Sequence, residues 1–289
     1  MACQPTEEQL ENGSVQTEEY KEENNLTDVQ EKQDKEVEII EDNLGKDKEP
    51  ANDQIDEIGQ DGESSDDKNE NEIVLEKQYE IVIENSNGIN LILNPENILT
   101  LVNKEYSLAA SYTPDNLVIP NVHFPFGNKD IPKMYVRDVV ANALEQMFNE
   151  AKKDDIILYA VSGYRSYDTQ KAIYEAEVAE VGQELASKAV AFPGQSEHQT
   201  GLAMDVTSQS VDFLLTTSLA ETKEGIWLKE NAHKFGFIIR YPQEKENITG
   251  YQYEPWHLRY VGKEFAMIIK ENELTLEEFF GLVKNEKED

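Results

Sequence analysis

The 289-residue sequence predicts an α+β domain, a small antiparallel sheet flanked by helices, preceded by a disordered acidic segment. Three observations carry that reading. Composition changes sharply near residue 73, helical and strand periodicities follow one another in no regular alternation, and there are no internal repeats. A regular βαβ series would have argued for a parallel sheet instead.

Residues 1–73 are built from Gln, Glu, Asp, Asn and Ser, with Tyr20 as their one aromatic residue. They follow neither a period of two nor a sustained period of 3.6, and too little apolar surface is present to offset chain entropy. This predicts a disordered linker. Residues 1–75 hold 25 Asp+Glu against 6 Lys, so −19 of the formal net charge of −33 sits there and −14 in the remainder. A polyanion of this kind disfavours nucleic acid and anionic membrane surfaces as partners. Cys3 is the single cysteine, which excludes an intrachain disulfide. No run reaches the ~18 apolar residues of a membrane span, and no hydrophobic signal-peptide region is present. Met1-Ala2-Cys3 is the join expected when a start codon replaces a removed lipoprotein signal, so the linker is expected to be a tether with a lipid on Cys3.

Order is expected from Ile73, with residues 74–98 as an N-terminal hairpin and extension and 99–289 as the main domain. Tyr79-Glu80-Ile81-Val82-Ile83 and Leu91-Ile92-Leu93 flank Asn85-Ser86-Asn87-Gly88, a hairpin signal. Residues 99–102 and 114–120 suggest an extended wrap around the core. In 135–152, Val139, Val140, Ala143, Leu144, Met147 and Phe148 fall on one helical face. The continuous apolar run 156–161 predicts a central buried strand, and Ser166 caps a helix over 167–189. Leu202, Met204 and Val206 alternate with Ala203 and Asp205 as a strand does. A helix over 225–234 ends at Gly236, strands follow at 237–240 and 256–261, and residues 263–284 form a helix broken near Asn272, with Thr275 capping its second part.

Two of the four histidines lie in clusters of unusual composition. In Pro193-Gly194-Gln195-Ser196-Glu197-His198-Gln199-Thr200-Gly201-Leu202-Ala203-Met204-Asp205, a turn leads into a strand. If Met204 and Val206 pack inward, Asp205 faces a cleft beside the small Ala203, and His198 stands in the loop before it. Alone, such a pair is far more often ordinary polar surface. The second cluster, Tyr253-Glu254-Pro255-Trp256-His257-Leu258-Arg259-Tyr260, adds His257 at a strand start and Glu254 across a proline-fixed bend. A catalytic zinc takes three protein ligands and keeps one position open. His198, Asp205 and His257 supply such a set for one Zn²⁺ per chain, and Glu254 is left as a base to receive a proton from water that the ion acidifies. A buried histidine bonded to a backbone carbonyl, and Trp256 as plain core, are the alternatives.

The pattern Ser196-x-His198-x-x-Gly201-x-Ala203-x-Asp205, then Glu254-x-x-His257, resembles the signature of the LAS zinc peptidases, specifically the VanY-type D-alanyl-D-alanine carboxypeptidases. Ser162-Gly163-Tyr164-Arg165-Ser166 with Gln170, the run from Phe235 through Pro242, and Ile248-Thr249-Gly250-Tyr251 match in the same order, so the resemblance covers residues 94–270 and leaves out the acidic segment. It implies the LAS/Hedgehog-type fold and hydrolysis of the terminal D-alanine of peptidoglycan stem peptides at the outer face of a bacterial membrane, by a monomer. Within that family resemblance, Arg165 would hold the substrate's terminal carboxylate or the developing oxyanion. Gln170 and Ser196 would complete the carboxylate pocket, and Trp256 would pack the ligands. L,D-carboxypeptidases acting on tetrapeptide stems share all these residues, and a non-catalytic peptidoglycan-binding zinc module would be expected to lack Glu254. His123 and His233 are read as structural.

Overall fold

The computed structural model describes residues 73–127 and 129–285. The expected acidic linker, Cys3 included, lies outside them apart from Ile73. The chain begins with β1 (Ile73–Leu75), then the antiparallel hairpin β2 (Ile83–Ser86) and β3 (Ile89–Ile92). Its turn is Asn87-Gly88, both residues at positive φ, the two-residue connection that suits strand twist. The hairpin is therefore shifted from the sequence expectation. Residues 77–79 form a 3₁₀ turn, and the strand starts only at Ile83. The expected extended wrap contains β4 (Tyr106–Ser107), parallel to β3, and β5 (Leu117–Val118), which pairs with β6 (Val136–Arg137).

Helix α1 spans Asp138–Lys153 and buries Val140, Ala143, Leu144, Met147, Phe148 and Ala151, a stripe at helical spacing. Asp138 in its first turn and Lys152 and Lys153 in its last oppose the helix dipole favourably. Residues 135–137, expected to be helical, precede it in extended form.

Four strands make the main sheet, in order β7-β8-β10-β9 with every neighbouring pair antiparallel. They are β7 (Tyr159–Ser162), β8 (Ala203–Thr207), β9 (Phe237–Tyr241) and β10 (Glu254–Tyr260). The run 156–161 was expected to be central, yet β7 is an edge strand. It is buried because the extended wrap covers the edge, the Ala160 N–H donating to the His123 carbonyl at 2.8 Å. One face of the sheet, through Ala160, Met204, Val206, Leu258 and Phe237, packs on α1. Trp227 and Leu228 of helix α4 (Lys223–Asn231) close the same core.

The single helix expected over 167–189 is two, α2 (Tyr167–Val181) and α3 (Gln183–Ala189), divided at Gly182, whose φ of 85° no β-carbon residue adopts readily. Ser166 caps α2 as expected, its hydroxyl accepting from the Thr169 N–H at 3.2 Å. The helix expected over 225–234 is likewise α4 followed by a 3₁₀ turn (Ala232–Phe235) that stops at left-handed Gly236. After the short α5 (Glu246–Thr249), the C-terminal pair α6 (Lys263–Glu271) and α7 (Leu276–Leu282) breaks where expected. Thr275 and Glu278 form a reciprocal capping box at the start of α7. These two helices build a second core with Leu99, Leu101, Ile238 and Val261. The chain closes with β11 (Val283–Asn285), paired in parallel to β1. None of the described helices is long and apolar enough to cross a membrane.

Candidate active site

The sheet face turned away from α1 carries the site. Antiparallel pairing sets Asp205 of β8 directly opposite His257 of β10, and Ser162 of β7 opposite Asp205. Side chains directly across two strands are nearest neighbours, so the ladder itself brings an acid and a histidine together 52 residues apart in sequence. His198 enters from a 3₁₀ turn (Glu197–Thr200) ending at left-handed Gly201. A β-carbon on Gly201 would crowd Arg137 and Leu117, so the turn needs glycine for space as well as for φ.

His198, Asp205 and His257 are all buried, and one ligand atom from each lies within 4.8 Å of the other two. His198 Nε2 stands 3.4 Å from Asp205 Oδ2, and His257 Nδ1 stands 3.2 Å from Asp205 Oδ1. The remote nitrogen of each ring is committed elsewhere. His198 Nδ1 donates to the Gly163 carbonyl at 2.8 Å, and His257 Nε2 donates to Glu197 Oε2 at 3.3 Å. A neutral imidazole has one N–H, so these bonds leave the two inward nitrogens as lone pairs.

The electrostatics ask for a cation. Asp205 Oδ1 is buried without a hydrogen-bond partner of good geometry. Burial holds His198 down to about 3. For His257 burial acts in the same direction, but the adjacent Asp205 and Glu197 carboxylates outweigh it and push the ring up to about 10. The two carboxylates thus favour positive charge at His257, a charge that a bound metal ion would supply. The N, O, N donor set and the orphaned carboxylate oxygen both fit a zinc ion.

Glu254 lies beside this set, its Oε2 3.6 Å from His257 Nδ1. Strict alternation would send residues three apart to opposite faces. A register shift between Glu254 and Leu258 brings Glu254 and His257 to the same side, and Pro255 sits inside that bulge. Glu254 is accordingly within the strand, where a bend before the strand had been expected. Burial pushes its carboxyl up to about 7, with His257 opposing and Asp205 adding to the push. Its side chain keeps 23 % exposure, so solvent moderates that effect and reaches the group.

Arg165 follows β7. Its N–H donates to the His198 carbonyl at 3.2 Å, and the Gly163 and Tyr164 N–H groups donate to Lys133 and Tyr135 carbonyls at 2.6 and 2.7 Å, so the backbone here is pinned. The guanidinium donates from Nη1 to Gln170 Oε1 at 2.9 Å and from Nη2 to Ser162 Oγ at 3.3 Å. Burial lowers its pKa, against the pull of the Asp205 and Glu254 carboxylates. Gln170 is the one buried residue of α2, and its Nε2 donates to the Ala191 carbonyl at 2.7 Å. A lone buried amide on a solvated helix, bonded to an arginine, is a positioning device. Ser196 is buried at the entry to the His198 turn.

An aromatic ring against His257 is supplied by Tyr241 of β9, with centroids 4.9 Å apart, and Trp256, adjacent in the strand, is partly buried. Sequence reasoning passed over Glu197, Arg240 and Arg259, all three buried. Glu197 Oε1 accepts from Arg240 Nε at 2.7 Å and from Arg259 Nη1 at 2.6 Å. The available signal was an arginine beside apolar residues in each of two strands, after Phe237-Ile238-Ile239 and after Leu258, since a buried charge requires a partner. Of the remaining histidines, His123 packs against Tyr159 at 5.7 Å, and His233 is in the 3₁₀ turn after α4.

An antiparallel sheet in an α+β frame, carrying a buried His-Asp-His set beside a solvent-reached carboxylate, has the donor set and the spare acid that a metallopeptidase would need. A family model described as VanY: D-alanyl-D-alanine carboxypeptidase matches residues 133–263. YodJ of Bacillus subtilis (strain 168) is 55% identical over 213 residues, spanning 74% of this chain and 78% of YodJ. Among solved structures, the LdcB LD-carboxypeptidase aligns with a TM-score of 0.72 at 54% identity, covering 74% of this chain and 100% of that one. A variant of the vancomycin-resistance D,D-pentapeptidase VanY, in complex with Zn(II), aligns with a TM-score of 0.52 at 34% identity over 63% of this chain and 98% of that one. The chain belongs to the VanY family of carboxypeptidases.

Proposed function

We propose that this chain is a zinc-dependent carboxypeptidase that releases the terminal D-alanine of peptidoglycan stem peptides, acting at the outer face of a bacterial membrane to which Cys3 tethers it. The observation that carries the reading is the juxtaposition of His198, Asp205 and His257 with Glu254 at 3.6 Å and with the braced Arg165. Zinc held by the first three would polarise the scissile carbonyl and acidify water. Glu254, partly exposed and not needed as a ligand, takes up a proton as the bond is attacked and returns it to the leaving amine. Arg165 receives the free carboxylate beyond the scissile bond, its fork kept in plane by Gln170 and Ser162. Ser196 lines the same pocket.

Identity of 54% to the LdcB LD-carboxypeptidase favours the L,D bond of a tetrapeptide stem as the preferred substrate. The match to the VanY family model supports the second reading, the D,D bond of a pentapeptide. Both release the same amino acid, so the stem must be varied. With purified zinc-loaded protein, mass spectra of defined stems should show loss of one alanine, with the larger kcat/KM on the tetrapeptide. A larger value on the pentapeptide would establish the second reading. Release of alanine from neither would reject the function altogether.

A further inference from the structure

A buried chain of charges leaves the site and ends on the C-terminal helix. Glu197 accepts from His257 Nε2 with one carboxylate oxygen and from Arg240 and Arg259 with the other. Arg240 then forms a two-pronged pair with Glu277, Nη1 to Oε2 at 2.9 Å and Nη2 to Oε1 at 2.6 Å. Arg259 is fixed from its far side by the Ile98 and Thr100 carbonyls, at 3.0 and 2.7 Å. Both arginines and Glu197 have no solvent contact through their side chains, so nothing but these partners sets the carboxylate's position. Glu277 lies in the first turn of α7, which the Thr275–Glu278 capping box holds in place.

The consequence follows from ring geometry. His257 can offer Nδ1 to a metal only with its ring turned to one orientation and its proton on Nε2. The acceptor that enforces both is Glu197. Moving that carboxylate by a few tenths of an ångström turns the ring, and Arg240 is what links its position to α7.

Resting on the zinc site proposed above, we infer that Glu197 is a positioning residue for the metal ligand His257, and that α7 sets zinc affinity through Glu277 and Arg240. The helix is thereby part of the metal site, although no residue of it touches the ligands. The full chain can test this with Glu197→Gln, Glu277→Gln and, as a control, Glu278→Gln. The control disturbs the same helix, since Glu278 caps it and pairs with Lys245 at 2.9 Å, but stands outside the relay.

Zinc dissociation constants come from chelator competition at fixed pH, and the Co(II)-substituted absorption spectrum reports ligand geometry without reference to turnover. Glu197→Gln should weaken zinc by about 10- to 100-fold, the usual effect of losing a carboxylate behind a ligating histidine, and should shift the Co(II) bands. Glu277→Gln should weaken it severalfold, while Glu278→Gln stays within about twofold of wild type, as expected of a site with no shared partner. Equal effects of Glu277→Gln and Glu278→Gln would overturn the relay, leaving α7 as packing alone. Should Glu197→Gln fail to fold, Glu277→Gln decides, and unchanged affinity in that folded variant overturns the inference. Wild type that binds no zinc defeats the proposed function itself, whereas zinc-binding wild type with unaffected relay variants defeats only this inference.

Discussion

Replacing Arg165 by Lys asks whether this site reads a free carboxylate. An exopeptidase has to refuse internal bonds, and a cation fixed beyond the scissile carbonyl is the simplest physical filter. Lysine keeps the positive charge that partly offsets Asp205 and Glu254, so the metal set should be undisturbed. What it loses is the planar fork that Gln170 Oε1 and Ser162 Oγ brace at 2.9 and 3.3 Å. A hydrogen bond to a charged group contributes about 1.5–3 kcal/mol, which corresponds to a loss of roughly 10- to 150-fold in kcat/KM. Zinc content should match wild type and melting temperature should fall only slightly, because the bonds lost go to Gln170 and Ser162 and not to a metal ligand. The assay compares peptides ending in a free carboxylate with the same peptides amidated. Amidation should cost wild type by about the factor just given and the mutant far less, since the contact is already gone. If amidation costs both proteins equally, the carboxylate is read by another group and the filter argument fails.

Metal binding gives a second test. His198→Ala and His257→Ala should each abolish the one-per-chain zinc stoichiometry measured by elemental analysis, and full occupancy in either would remove that residue from the ligand set. Asp205 and Glu197, outweighing burial, push His257 up to about 10, so zinc should compete with a proton for this ring. Apparent affinity should therefore rise with pH, by about tenfold per unit for each proton released, and a flat profile would contradict the assignment. Glu254→Gln should keep zinc and fold yet lose about 10²- to 10⁴-fold in kcat, the usual contribution of a general base, and near-normal turnover would move that role elsewhere.

The three candidate ligands and Glu254 stand out in the sequence because each is a polar residue at a place where strand or turn periodicity leaves little reason for one. Asp205 between Met204 and Val206 is the clearest case, for alternation alone sends it to the face opposite the core. The sheet as a whole was legible for the same reason, but strand order was not. The run from Ile156 is as apolar as a central strand, and what covers its open edge is a loop some forty residues earlier, which no local pattern announces. The bulge in β10 was signalled only by Pro255, whose missing N–H forbids regular pairing in a central strand.

Glu197 shows the deeper limit. Beside His198 in a polar turn it looks like one more solvated acid, and its neighbours in sequence say nothing against that. Its meaning comes from Arg240 and Arg259, 43 and 62 residues away, each a charge set among Phe, Ile and Leu in a strand. Desolvating three such groups is tolerable only when their geometry is mutually satisfied, and here the pairing continues from Glu197 through Arg240 to Glu277. An apolar replacement of similar volume could hold the sheet together equally well. A carboxylate is required only if something must accept the Nε2–H of His257, and that requirement belongs to the proposed metal site, not to the fold.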